Sequence, residues 1–224
     1  MRIPLAREGL PFIAAAALPA AVLLAAAVLW GGTLWWTLGI LFGVLALAIA
    51  GFFRDPEREG PKGFDIVLSP ADGRVIAVGP VEEPSFLQGK ALKISIFLSL
   101  FDVHVNRYPV SGIVRHRTYD SGRFEPAWRK SASASNERAS TGIQSDPHAV
   151  LVRQIAGLAA RRIVTYAQVG QQVEQGERMG LIRFGSRLDL YLPSTATASV
   201  AVGQRAAGGV TVLARLPSRD RGES

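Results

Sequence analysis

The chain opens with a long apolar stretch in which polar positions hardly recur. Between Glu8 and Arg54 no side chain is charged, and the interval Gly9–Phe53 is 45 residues long. One bilayer crossing takes about 20 apolar residues, so this interval predicts two helical crossings joined by a tight turn. Gly31-Gly32-Thr33 supplies the turn between the runs Phe12–Trp30 and Leu34–Phe53. Trp30, Trp35 and Trp36 cluster there, and indoles favour the headgroup level. Arg2 and Arg7 precede the pair, and Arg54, Arg58 and Lys62 follow it. Both charged flanks then fall on one side, which the positive-inside rule makes cytoplasmic. A cleaved signal peptide fits poorly, because its apolar region is only ~7–15 residues. A re-entrant hairpin kinked at Pro11 and Pro19 is the competing arrangement.

From Asp55 onward the pattern changes to short β-branched runs punctuated by Gly and Pro, after a linker containing Pro56, Gly60, Pro61 and Gly63. The runs are Ile66–Leu68, Val75–Val78, Leu92–Leu100, Val103–Val105, Gly112–Arg117, His148–Ile155, Arg162–Tyr166, Met179–Phe184, Leu188–Leu192, Ala198–Val202 and Val210–Ala214. This spacing predicts a mainly β sandwich or barrel, with room for a short helix at Thr165–Val169 or Pro126–Lys130. Val169-Gly170-Gln171 followed by Gly176 recurs 33 residues later as Val202-Gly203-Gln204 followed by Gly209. Two such Gly-punctuated hairpins resemble the units of barrel-sandwich hybrid folds. Residues 1–55 therefore read as a membrane-anchoring hairpin and residues 56–224 as a β-rich, barrel-sandwich-hybrid-like domain.

Composition narrows the chemistry. The chain has 224 residues, a formal charge of +7 and no cysteine. It can hold no disulfide, Cys-ligated metal or thiol nucleophile. Its three histidines, His104, His116 and His148, lack metal-ligand spacing, so no metal site is expected. Arg107, Arg115, Arg117, Arg123, Arg129, Lys130 and Arg138 concentrate positive charge in one segment. Anionic lipid is a fitting partner for such a segment, and a solvated basic loop is the plain alternative. No nucleic-acid recognition motif accompanies the charge.

Three segments carry candidate chemistry. Ser69-Pro70-Ala71-Asp72-Gly73 is a turn signal that sets a carboxylate at a strand corner. In Phe101-Asp102-Val103-His104-Val105-Asn106, strand alternation would put Asp102, His104 and Asn106 on one face, and Phe101, Val103 and Val105 on the other. Gly185-Ser186 precedes Arg187-Leu188-Asp189 without the second glycine of a nucleophile elbow, which argues against an ordinary serine hydrolase.

Taken together, Ser69–Gly73, Phe101–Arg107 (F-D-V-H-V-N-R), Asn136-Glu137-Arg138 and Phe184-Gly185-Ser186, behind an apolar N-terminal pair, resemble the phosphatidylserine decarboxylase family in its short bacterial and archaeal form. The resemblance spans nearly the whole chain. It implies a proenzyme that cuts itself at Gly185–Ser186 into a β chain, residues 1–185, and an α chain of 39 residues, 186–224. It also implies that Asp72, His104 and Ser186 form the catalytic set, and that Ser186 becomes a pyruvoyl group that binds the substrate amine as a Schiff base. Two departures stand out. The longer bacterial enzymes commonly cut at L-G-S-T, whereas Phe184 and Arg187 flank the site here. They also carry a second histidine where this chain has Phe101.

Glycine before the serine permits a strained turn that brings the hydroxyl onto the Gly185 carbonyl. His104 would take the hydroxyl proton while Asp72 holds the imidazole tautomer. The expected reaction is decarboxylation of phosphatidylserine to phosphatidylethanolamine and CO2 at the cytoplasmic face of the cell (inner) membrane. The alternatives are a related serine-headgroup lipid, such as archaetidylserine, and a membrane-tethered hybrid-fold adaptor without catalysis. Asn136-Glu137-Arg138 either orders the site or caps a loop. Homo-oligomer formation is left open.

Overall fold

The protein is described by a computed structural model covering residues 4–123, 125, 135–157, 162–183 and 185–217. Pro126–Lys130 and Phe184 lie outside the described residues. The chain divides into two compact units, Met1–Glu57 and Arg58–Ser224.

In the first unit, α1 (Leu10–Trp30) packs on α2 (Thr33–Phe52). Gly31 and Gly32 make the turn at φ +70° and +96°, conformations open to glycine. Gly39 faces the Leu24 side chain so closely that a Cβ would overlap it, which lets the two helices approach. Each helix is long and apolar enough to cross a membrane. Pro19 stands within α1, which continues through it.

In the second unit the described strands are β1 (Ile66–Leu68), β2 (Gly73–Glu83), β3 (Gly89–Leu98), β4 (Val105–Arg107), β5 (Gly112–Asp120), β6 (Arg138–Ser145), β7 (His148–Ala156), β8 (Ile163–Thr165), β9 (Gln172–Val173), β10 (Arg178–Ile182), β11 (Ser186–Pro193), β12 (Thr197–Ala198), β13 (Arg205–Ala206) and β14 (Val212–Arg215). The unit is mainly β, as expected. Thr165–Val169 forms no helix, because Thr165 ends β8 and the chain turns at Val169. β6 was not foreseen, since Arg-Ala-Ser-Thr-Gly-Ile-Gln-Ser carries a single β-branched apolar residue. It forms because β5 and β7 flank it on both sides.

The 33-residue repeat turns out to be the visible part of a duplication. The large sheet runs β13-β2-β3-β11-β7-β6-β5-β9, and the two small sheets run β1-β14-β12 and β4-β10-β8. The orders match pairwise: β1, β2, β3, β11, β12, β13 and β14 form one half, and β4, β5, β6, β7, β8, β9 and β10 the other. The second half is thus inserted whole between β3 and β11 of the first. Hydrogen bonds repeat with it. Gly203 N–H donates to Val75 O and Gly170 N–H to Val114 O, both at 2.8 Å. Gly209 N–H donates to Ser69 O at 2.7 Å, and Gly176 N–H to Tyr108 O at 2.9 Å. Between the sheets, Ile94, Ile96, Leu98, Ile143, Val150, Val152, Leu188 and Leu190 make one buried core.

Gly73 and Gly112 occupy matching places at the starts of β2 and β5. A Cβ at either would run into a backbone carbonyl, Phe97 O or Gln144 O respectively. Gly112→Ala, on a strand three places from the Ser186 strand, is expected to destabilise the unit by about 2 kcal/mol or more. Thermal unfolding checks this as a fall in Tm of several degrees.

Candidate active site

The chain passes between the halves twice. It leaves β3 for β4 through Ser99–His104, and returns from β10 to β11 through Arg183–Gly185. The two crossings lie side by side. Ile182 N–H donates to His104 O at 3.3 Å, just beyond the β4–β10 pairing of Val105 with Leu181.

Ser186 opens β11, opposite Leu98 of β3 and Ala156 of β7. It is fully buried, and its Oγ has no hydrogen-bond partner among the described residues. Gly185 before it has φ +60°, in the left-handed region, with open space where a Cβ would project. Alternation puts the Ser186 side chain on the face shared with Leu188 and Leu190, toward the core.

His104 is buried against Ile182, four residues before Ser186. Its Nδ1 lies 2.9 Å from the Asp102 carbonyl oxygen. A carbonyl only accepts, so Nδ1 carries the proton in the neutral ring and Nε2 carries the basic lone pair. Asp102 sits in the turn. Its carboxylate accepts from Ser99 N–H at 2.8 Å and Ser99 Oγ at 2.7 Å, and pairs with Arg205 at 3.6 Å. The expected alternation over Phe101–Asn106 therefore holds only from His104 onward. Phe101 is 87% exposed at the turn, while Val103 and Val105 are buried like His104 and Asn106.

Asp72 stands at the start of β2, two strands from Ser186 at the same end of the sheet, roughly 10 Å by strand spacing. Both its oxygens engage Arg58, with Arg58 Nη2 at 2.8 Å from Oδ2, and Oδ1 also accepts Gly208 N–H at 2.8 Å. In this arrangement the proton on His104 Nδ1 is set by backbone, and the Asp72 carboxylate is set by Arg58.

Two further polar residues meet here. Gln154 Nε2 donates to Asn106 Oδ1 at 2.8 Å, with both side chains fully buried. Sequence reasoning missed Gln154, whose only signal is a lone amide in an otherwise apolar stretch of β7. Asn136 of the N-E-R segment bonds in both directions. Toward the loop, its Nδ2 donates to Glu125 O at 2.7 Å and its Oδ1 accepts Glu125 N–H at 3.0 Å. Toward the sheet, its Nδ2 donates to Ala156 O at 2.8 Å, and Ala156 N–H donates to Glu137 O at 2.9 Å. These bonds fix the strand residue directly opposite Ser186.

The sequence profile described as phosphatidylserine decarboxylase matches residues 45–214. A Symbiobacterium thermophilum protein named phosphatidylserine decarboxylase proenzyme is 50% identical over 219 residues, 97% of this chain and 98% of its own. Proteins of the same name from Geobacter metallireducens and Aromatoleum aromaticum are 46% and 44% identical, over 96% and 95% of this chain and 97% and 96% of theirs. The chain belongs to the phosphatidylserine decarboxylase family.

In this decarboxylase the reverse face of β11 is equally constrained. Arg187 and Asp189 form a buried two-pronged ion pair, at 2.7 Å and 2.8 Å. Beside it, Arg153 donates to Tyr191 Oη at 3.0 Å and Glu83 Oε1 at 3.1 Å. Burial, with the Asp189 charge, pushes the Tyr191 phenol up to about 12. Burial alone would raise Glu83, but bonds from Ser85, Phe86 and Leu87 outweigh it and hold its carboxyl below the usual 4.5. The basic segment is less uniform than its sequence implied. Arg107 is buried and donates to Gly176 O, Arg138 pairs with Asp120, and Arg115, Arg117 and Arg123 are exposed. Arg129 and Lys130 lie outside the described residues.

Because the Glu83 carboxyl is depressed in the fold, its stabilisation is present above its unfolded value and is lost as pH falls through its folded value. Glu83→Gln is expected to cost about 2 kcal/mol at pH 7. Melting curves of the two proteins should converge as the pH is taken below 4.5.

Proposed function

We propose that this enzyme decarboxylates phosphatidylserine to phosphatidylethanolamine and CO2, after cutting its own chain between Gly185 and Ser186. The reading is supported by a buried Ser186 Oγ with no hydrogen-bond partner among the described residues, a left-handed Gly185 before it, and a histidine whose Nε2 bears the lone pair and whose carbonyl bonds Ile182 on the strand leading to Ser186. His104 accepts the Ser186 hydroxyl proton, and Oγ attacks the Gly185 carbonyl carbon. The Gly185 acyl group moves from the Ser186 nitrogen to Oγ, and the nitrogen takes up a proton. Loss of the Ser186 Cα proton then expels the Gly185 carboxylate and leaves a dehydroalanine. One water hydrolyses its enamine, releasing ammonia and leaving a ketone at the α-chain terminus.

The site fits such a group, because Ser186 lies in a dry cradle that the Asn136–Ala156 bond and the β3 and β7 pairings hold still. The pyruvoyl carbonyl supplies an electron sink for the pair left on the substrate Cα when CO2 departs, as other carbonyl cofactors do. His104 then returns a proton to that carbon. Asp72 contributes a fixed negative charge that favours the imidazolium formed when His104 takes a proton. The substrate is a lipid, and the apolar hairpin would hold the catalytic unit at the cytoplasmic face of the cell membrane. Leu100 and Phe101, exposed on the turn leading to His104, give this end of the unit an apolar edge.

Purified protein is expected to run as two fragments on a denaturing gel. Intact mass should give an α chain one ammonia lighter than a chain beginning with free serine. Ser186→Ala should remain a single chain and release no CO2 from phosphatidylserine. His104→Ala should slow the cut by about 10²–10⁴-fold. A wild-type protein that stays whole yet is fully active would overturn the self-cutting mechanism.

A further inference from the structure

The duplication provides an internal control for the interior of the site. Register and hydrogen bonds superpose Asn106 of β4 on Val67 of β1: Asn106 pairs with Gly180, and Val67 with the matching Ala214. Likewise Gln154 of β7 matches Leu192 of β11, counting from the aligned pairs Ser145–His148 and Leu98–Ser186. Val67 and Leu192 are fully buried members of the apolar core. The fold therefore accepts aliphatic side chains at both places, and the half facing Ser186 carries two amides instead.

These amides spend only part of their hydrogen-bonding capacity. Beyond their mutual bond, Asn106 Nδ2 and Gln154 Oε1 are buried with no partner among the described residues. Rotating both amide groups would exchange the atoms but not the result: one whole NH2 group and one C=O stay unused in either assignment. Leaving two such groups buried without partners is destabilising. Gln154 lies directly across from Leu188. Ser186, two residues away on the same face, is then its diagonal neighbour, at about 7–8 Å between Cα atoms. Asn106, in β4, is two residues beyond His104 in the chain.

We infer that the Asn106–Gln154 pair is the subsite for the amino-acid end of the substrate headgroup, its free N–H donating to the α-carboxylate and its free C=O accepting from the α-amine. This rests on the decarboxylase reading above. A neutral donor suits the chemistry better than an arginine. The carboxylate charge disappears as CO2 forms, so a cation bound to it would stabilise the ground state more than the transition state. An amide N–H orients the carboxylate and gives up little when it leaves. The pair also distinguishes substrate from product, since phosphatidylethanolamine lacks the group that satisfies the donor.

The test is a competition on the full-length processed enzyme. Glycerophosphoserine carrying a deuterated glycerol and unlabelled glycerophosphoethanolamine are mixed in equal amounts, and amine adducts are trapped with cyanoborohydride. Intact mass of the α chain then reads the origin of each adduct even after CO2 loss. Wild type is expected to favour the serine compound. Asn106→Val with Gln154→Leu, which copies the other half, should still cut itself, melt at an equal or higher temperature, and lose that preference by roughly tenfold or more. Gln154→Glu, of nearly the same shape, should shift capture toward the ethanolamine compound by repelling the carboxylate. Retention of the wild-type preference in either processed variant overturns the inference. So does failure of both variants to cut while their melting is unchanged, which would tie the pair to self-cleavage instead. A wild-type protein that forms no adduct with either compound would sink the decarboxylase reading itself, a separate result.

Discussion

The bond between Ile182 N–H and His104 O is where the two crossings of a duplicated fold meet, and the candidate chemistry is arranged around it. One half of the domain is inserted into the other, so the chain must pass out and back across the same boundary. The outward pass carries His104 and the return pass carries Gly185-Ser186. His104 and Ile182, 78 positions apart in the chain, are thus neighbours by topology, and Ser186 follows four residues on. Strand pairing on both sides of Ser186 holds its backbone still, as the proposed attack of the serine on its own chain requires.

The same boundary explains where polar groups are tolerated inside. Interiors of this kind prefer aliphatic filling, and an unused buried donor or acceptor is destabilising. Half of the duplication obeys that preference with Val67 and Leu192. The other half departs from it at Asn106 and Gln154, within reach of Ser186. Departures from local consistency that cluster at one place, against an apolar equivalent elsewhere in the same molecule, mark a site that is held for its chemistry. The outer face of β11 is also polar, but there the groups are matched: Arg187 with Asp189, and Arg153 with Glu83 and Tyr191.

Much of this was legible in the sequence, and the exceptions have physical reasons. The hairpin could be read because 45 residues without a charge have few other uses. The Gly-punctuated repeat was visible, but only its turns were, since glycine at positive φ is conserved in type while strand residues are interchangeable. The rest of the duplication lies in register and pairing, which no short motif records. β6 escaped notice because its strand character comes from its neighbours on both sides. The alternation across Phe101–Asn106 failed at its first residues because the Asp102 carboxylate bonds back to Ser99 and makes a turn. Gln154 gave no signal at all, for a single amide in a strand gains meaning only when its partner across the core is known.

Asp72 shows how structure and chemistry can be separated at one residue. Its equivalent in the other half is Ser111, whose Oγ accepts Gln175 N–H at 2.9 Å, just as Asp72 Oδ1 accepts Gly208 N–H at 2.8 Å. The turn therefore needs an acceptor and is content with a neutral hydroxyl. The carboxylate adds something the hydroxyl cannot, an ion pair with Arg58. Arg58 Nη1 also donates to Gly208 O at 3.0 Å, so the pair fastens the linker to this end of the sheet. In the proposed reaction the same carboxylate would in addition favour an imidazole that becomes positive, because a fixed charge already in place needs no reorganisation at that moment.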